Sequence, residues 1–264
     1  MARLKDKVIL VTGGARGLGE AEARRFAAEG ALVAICDRLE KEGTETAADI
    51  VAAGGRARFF PLDVTDESAW DAAAAAVAAW GGGLHGLVNN AGVVNRTGTM
   101  GTTLAAWTQV LAVNLSGAFL GIRAVAPHMR AAGGGAVVNI ASVAAYTGHN
   151  DPAYSTTKAG ILGLTRSAAM EFVDWGIRVN AVSPGIIVTA LNNGGAHLEP
   201  WRRATPLGRY GRMEEVANTV LFLLSDEAGF ITGEDIAVDG GFKAGGAARR
   251  ISLEAGIDLT APGT

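Results

Sequence analysis

A doubly wound α/β fold is predicted for this chain: a seven-stranded parallel sheet in a three-layer α/β/α arrangement, forming a single domain. Two observations carry the prediction. Short apolar, β-branched runs alternate with longer alanine-rich segments of helical character, and the first run leads directly into a glycine-rich turn that opens a helix. Alternating strands and helices place the strands in parallel, and right-handed crossovers then cover both faces of the sheet. At 264 residues the chain is long enough for one large core of this kind.

Taken in order, strands are expected at residues 8–11, 32–35, 57–62, 84–89, 136–140, 177–182 and 235–238. Helices are expected between them at 17–29, 41–53, 67–80, 103–130, 153–175 and 214–224. The alanine tract at 72–79 reads as an ordinary helix, because alanine is the best helix former and Trp70, Val77 and Trp80 supply an apolar face. Two segments break the alternation. Residues 187–211 are rich in Gly, Pro and Asn and follow a strand's carboxyl end, where open α/β sheets bind ligands, so they read as a substrate lid on a domain spanning 1–242. Residues 243–264 read as a C-terminal extension, for which a neighbouring subunit would provide a docking surface.

Composition excludes several partners. With 49% hydrophobic and 19% charged residues and a net charge of -3, the chain has no electrostatic reason to bind nucleic acid or an anionic membrane. No stretch reaches the roughly 18 uninterrupted apolar residues of a membrane span, and the N-terminus lacks an apolar signal core. Cys36 is the single cysteine, which excludes an internal disulfide and makes a reducing cytoplasm the expected location. The histidines at 85, 128, 149 and 197 stand in no paired metal-ligand spacing, so no catalytic metal is expected.

The run Thr12-Gly13-Gly14-Ala15-Arg16-Gly17-Leu18-Gly19 has a strand before it and a helix after it. In that context Gly13, Gly17 and Gly19 form a Rossmann-type phosphate-binding turn, where backbone N–H groups and the helix dipole attract a pyrophosphate. Asp37 ends the second strand eighteen residues past Gly19, close to the spacing at which a carboxylate takes the adenosine ribose hydroxyls and repels a 2′-phosphate. Arg16 argues in the opposite sense, since a guanidinium could pair with that phosphate. The carboxylate stands where the ribose sits, so NAD is favoured over NADP. Asp63 and Val64 either bracket the adenine or simply cap a turn. Asn89-Asn90-Ala91-Gly92 ends the fourth strand with small residues that admit a cofactor backbone-close. Tyr154 and Lys158 are four apart on one helix face, so the ammonium is expected to lower the phenol's pKa from its usual value of about 10.

Taken with Asn114, Ser142 and Pro184-Gly185 in this order, these motifs resemble the short-chain dehydrogenase/reductase family, in its subgroup of about 250 residues. The resemblance covers residues 6–242. It implies an oxidoreductase interconverting a secondary alcohol and a ketone, with Tyr154 as general acid/base and Ser142 holding the substrate oxygen. Lys158 would hold the nicotinamide ribose, and Asn114 would position a water leading from Lys158 to bulk solvent. Ile187 and Thr189 would contact the nicotinamide carboxamide. Family members commonly form tetramers through two long helices, so a homotetramer is implied. Enoyl reductases of the family place a longer gap between Tyr and Lys, and the epimerase-like branch has a different glycine spacing.

The pocket is expected to be walled by Val93, Val94, Asn95, Ala144, His149, Asn150 and Ile186, with Leu191 and Trp201 closing over it. Those walls are largely apolar and suit an uncharged alicyclic, aryl or steroid-like alcohol. Two rivals share the motifs. An NADPH-dependent 3-oxoacyl thioester reductase is opposed by Asp37, and a non-catalytic nucleotide-binding protein by the intact quartet of Asn114, Ser142, Tyr154 and Lys158.

Overall fold

Seven strands hydrogen-bond in parallel, in the order β3-β2-β1-β4-β5-β6-β7, in a computed structural model that describes residues 2–189 and 194–257. They are β1 (Val8–Thr12), β2 (Leu32–Asp37), β3 (Arg56–Pro61), β4 (Gly86–Asn89), β5 (Gly135–Ile140), β6 (Ile177–Pro184) and β7 (Asp235–Val238). The chain winds outward from β1 to β3, then restarts at β4 on the other side of β1. The crevice at the carboxyl ends of β1 and β4 is therefore the topological switch point, where sheets of this kind bind ligands.

Helices cover both faces because the central strands are apolar on both. In β1, Ile9 and Val11 join one core cluster with Phe26 of α1 (Gly17–Ala28), Ile50 of α2 (Glu40–Ala52) and Val220 of α8 (Met213–Leu224). Val8 and Leu10 join the opposite cluster with Trp70 and Val77 of α3 (Glu67–Gly81) and Val125 and Met129 of α5 (Gly117–Ala131). Cys36 faces this second side, fully buried, and burial pushes its thiol pKa well up. The remaining described helices are α4 (Leu104–Leu111), α6 (Pro152–Glu171), α7 (Leu198–Ala204) and α9 (Phe242–Glu254).

Three expectations need correction. The helix expected at 103–130 is divided by a π-helical turn at Ala112–Ser116, so α4 and α5 run on through a local bulge. This continuous segment, Leu104–Ala131, is long and apolar enough by length and composition to cross a membrane. Its inner face, however, packs on α3 and the sheet through Gly121, Ile122, Val125 and Met129, as a core helix does. The lid segment is not loop throughout, since α7 lies within it. The C-terminal extension folds largely into α9, kinked at Gly245, where φ is 143°. Phe242 at its start rests on Trp201 of α7 with ring centroids 4.6 Å apart. Leu191 lies outside the described residues.

Candidate active site

The glycine turn after β1 is built to bring backbone close to a ligand. Gly13 has φ 63°, and a Cβ on Gly19 would stand 2.3 Å from the Gly13 carbonyl oxygen, so side chains are excluded from the cradle. Thr12 fastens this turn to the end of β4: its hydroxyl donates to the Val88 carbonyl at 3.2 Å and accepts the amides of Asn90 and Ala91 at 3.0 and 3.1 Å. Asn90 returns two bonds through Nδ2, to the carbonyls of Thr12 at 2.9 Å and Gly13 at 3.2 Å. The fit to a dinucleotide is a property of this backbone: bare amides at the head of α1, no Cβ in the way, and an anion-favouring helix terminus. Gly17 and Leu18 continue the turn into α1, and Gly92 follows on the other wall.

Asp37 at the end of β2 is part-buried, and its two oxygens accept the amides of Ala15 at 3.2 Å and Leu39 at 3.1 Å. The carboxylate is thus pinned against the glycine turn. Arg16 is exposed and caps α1 with backbone alone. Asp63 is occupied within its own turn, accepting the Thr65 amide at 2.9 Å and hydroxyl at 2.8 Å, and lies 3.9 Å from Arg38. The cap of α3 is Asp66, through the Ala69 amide at 3.1 Å, so Asp63 holds the turn but does not cap the helix. Val64 is buried and receives the Trp70 indole N–H on its carbonyl at 3.0 Å. Arg38, beside Asp37 and exposed, was missed from sequence because its position is set by pairing with Asp63 across two strand ends.

The four expected catalytic residues converge. Ser142 follows β5, and its Oγ accepts the Ala144 amide at 3.2 Å, on the side of the pocket where it lowers the pKa of the Tyr154 phenol. Lys158 lies one turn along α6 from Tyr154, 5% exposed, and its ammonium donates to the Ile140 carbonyl at 2.6 Å. It stands 5.6 Å from the centre of the Tyr154 ring. Asn114 sits in the π-turn, 3% exposed, with Oδ1 accepting the Val93 amide at 2.8 Å and Nδ2 donating to the Val93 carbonyl at 2.9 Å. A second Nδ2 bond reaches the Thr157 hydroxyl at 3.3 Å. Such bulges recur at functional sites because they turn one side chain off the helix ladder; this one was illegible in the sequence.

Among the protein's own groups, burial raises the Tyr154 pKa, the Ser142 hydrogen bond opposes it, and the Asp151 carboxylate adds to the rise. Lys158 does not appear among those causes; burial brings its own pKa down to about 8. The ammonium is spent on a carbonyl below the ring, not aimed at the phenol oxygen.

Of the remaining residues, Pro184 closes β6, and Gly185 follows, its amide donating to the Val238 carbonyl at 3.0 Å. Ile187 is buried and bridges to Gly211, leaving Ile186 to accept the Gly211 amide at 3.0 Å. Thr189 lies five residues beyond the end of β6. His149 lies against Tyr154 with ring centroids 5.3 Å apart, and Ala144 is buried below Ser142. Two cavities, of about 310 and 610 Å³, are lined in part by Ile186 and by Val188 respectively; neither is lined by Ser142, Tyr154 or Lys158. No cluster of three or more metal-ligating side chains occurs among the described residues.

Comparison with known proteins agrees with this geometry. A family model described as enoyl-(acyl carrier protein) reductase matches residues 13–243. The chain is 42% identical over 246 residues to a 2,5-dichloro-2,5-cyclohexadiene-1,4-diol dehydrogenase of Sphingobium indicum, covering 92% of this chain and 98% of that one. It is also 42% identical over 251 residues to a 3-alpha-(or 20-beta)-hydroxysteroid dehydrogenase of Mycobacterium tuberculosis, covering 92% of each. A crystal structure of a short-chain type dehydrogenase/reductase from Mycobacterium marinum superposes with a TM-score of 0.88 at 33% identity, over 91% of this chain and 97% of that one. The glycine turn at the switch point, the Ser142, Tyr154 and Lys158 cluster and these likenesses together place the chain in the short-chain dehydrogenase/reductase family, as a nicotinamide-dependent oxidoreductase.

Proposed function

We propose that the chain is an NAD-dependent dehydrogenase of an alicyclic or steroid-like secondary alcohol, acting reversibly on the ketone. The observation that carries this reading is the buried Lys158 one helical turn from Tyr154, its ammonium 5.6 Å from the phenol ring and bound to the Ile140 carbonyl, at the carboxyl end of β5 that leads into Ser142. The cofactor supplies the hydride acceptor when bound. Gly13, Gly17, Leu18 and Gly19 would hold its pyrophosphate, Asp37 its adenosine ribose, Asn90, Ala91 and Gly92 the crevice wall, and Pro184, Gly185, Ile187 and Thr189 its nicotinamide end. Asp63 and Val64 would border the adenine.

Ser142 Oγ would donate to the substrate oxygen and orient the alcohol, and the Tyr154 oxygen would accept its proton as the C–H bond breaks. Lys158 would hold the ribose and, when so engaged, leave its carbonyl partner and turn charge toward the phenol; Asn114 would hold the solvent route. The substrate class is supported by the two relatives named above, a cyclohexadienediol dehydrogenase and a hydroxysteroid dehydrogenase, and by the apolar Val93, Val94, Ala144 and Ile186 expected in the pocket wall.

Absorbance of the reduced cofactor, followed with NAD or NADP and a panel of alicyclic, aryl, aliphatic and steroid alcohols, tests the reading. Turnover of ring alcohols with NAD is expected. Turnover with NADP alone would favour the thioester reductase reading, in which Arg16 and Arg38 outweigh Asp37.

A further inference from the structure

Asp151 lies three residues before Tyr154 and has no accessible surface. A carboxylate buried to that degree needs partners on both oxygens, and here the two oxygens serve different elements. Oδ1 accepts the Tyr154 amide at 3.1 Å and caps α6. Oδ2 accepts the Asn95 amide at 2.6 Å and the Arg96 amide at 3.4 Å. The Asp151 amide itself donates to His149 Nδ1 at 3.1 Å, which leaves the Nε2 of a neutral His149 ring as the N–H donor. Arg96 has φ 62°, a conformation non-glycine residues seldom adopt, so the turn after the exposed Val93 and Val94 is one that needs an external hold.

We propose that Asp151 is a positioning residue that ties the helix bearing Tyr154 and Lys158 to the 93–97 loop, and so registers a substrate held by that loop against the phenol. The proposal rests on the reading of Tyr154 as general acid/base and of the 93–97 loop as a pocket wall. The division of labour identifies why an aspartate stands here. A helix cap needs one acceptor oxygen, and asparagine or serine serves as well as aspartate. Only the second tie, to two backbone donors on another segment, requires a second acceptor. The amide end of asparagine presents N–H groups to the Asn95 and Arg96 N–H groups and cannot make that tie.

Asp151→Asn therefore separates cap from tie, while Asp151→Ala removes both. The test uses the full chain in two measurements: hydrogen exchange at the Asn95 and Arg96 amides, and steady-state kinetics with NAD and cyclohexanol. In Asp151→Asn, exchange at those two amides is expected to quicken by about tenfold, the scale set by losing a buried hydrogen-bond partner, with β1 amides unchanged. KM for the alcohol is expected to rise by about tenfold, a larger effect than that on kcat. Asp151→Ala is expected to lower kcat further, since the cap beneath Tyr154 is lost. Unchanged exchange at Asn95 and Arg96 in Asp151→Asn would overturn the tie, and faster exchange with an unchanged KM would overturn its role in registering substrate. Should the unaltered enzyme turn over no alcohol with either cofactor, the catalytic reading has failed, and the exchange measurement alone supports or overturns the tie.

Discussion

At the scale of single residues, Tyr154 and Glu22 carry opposite consequences of burial. The Tyr154 phenol is pushed above its ordinary value by desolvation, so under the proposed role as proton acceptor in alcohol oxidation kcat/KM is expected to rise about tenfold per pH unit below that pKa. Ketone reduction needs the protonated phenol and should instead hold its rate toward neutral pH. Profiles in both directions check this, and Tyr154→Phe should lower kcat by about a thousandfold while the reduced nicotinamide cofactor still binds. Glu22 on α1 is fully buried, both its oxygens lack partners, and burial holds its pKa well above the usual range. A carboxyl raised in the folded state contributes least cost below the unfolded pKa, and stability is lost as pH climbs from about 4.5 through the folded value. Glu22→Met is expected to stabilise the protein by roughly 2 kcal/mol in mildly alkaline buffer and by much less near pH 4.5, read from denaturant unfolding.

At the scale of elements, the lid and the C-terminal helix act as one unit. Phe242 stacks on Trp201, the Leu207 amide donates to the Gly240 carbonyl at 3.1 Å, and a Cβ on Gly246 would stand 2.4 Å from the Ala204 carbonyl. Lys243 reaches back from α9 over the Tyr146 ring at 3.6 Å, four residues beyond Ser142, and Tyr146 donates to Asp235 on β7. If α7 gates the pocket, releasing its anchor loosens substrate more than cofactor. Phe242→Ala is expected to raise the alcohol KM by about five- to tenfold, quicken proteolysis across 198–211, and leave affinity for the reduced nicotinamide cofactor within about twofold. An unchanged KM would detach the helix from the lid. Through Gly246 the start of this extension rests on the chain's own 198–207 segment.

At the scale of the whole molecule, the outer faces of α4, α5 and α6 keep large apolar side chains in the open: Leu104 is 80% exposed, Phe119 47% and Met170 76%. On a single chain such side chains cost solvation, and pairing helices across a symmetry axis would remove it. A tetramer is the expected state at micromolar concentration, measured by sedimentation equilibrium. Phe119→Lys together with Met170→Lys should shift it toward smaller species without unfolding the protein.

What the sequence determined by itself is whatever depends on local pattern: the parallel sheet from alternating runs, the phosphate turn from Gly13 to Gly19, and Asp37 at a strand end. Ser142, Tyr154 and Lys158 were equally legible, because their order and spacing belong to one strand end and one helix face. The tertiary structure alone decided what depends on long-range contact. Asn114 leaves its helix ladder only because Val93 and Thr157 receive it. Asp151 joins two segments more than fifty residues apart in sequence, and Lys158 spends its ammonium on the Ile140 carbonyl, a partner that only folding supplies. Periodicity and spacing report neighbours along the chain; burial and hydrogen-bond satisfaction are set by neighbours in space, and it is these that fix the pKa values and the registration of the site.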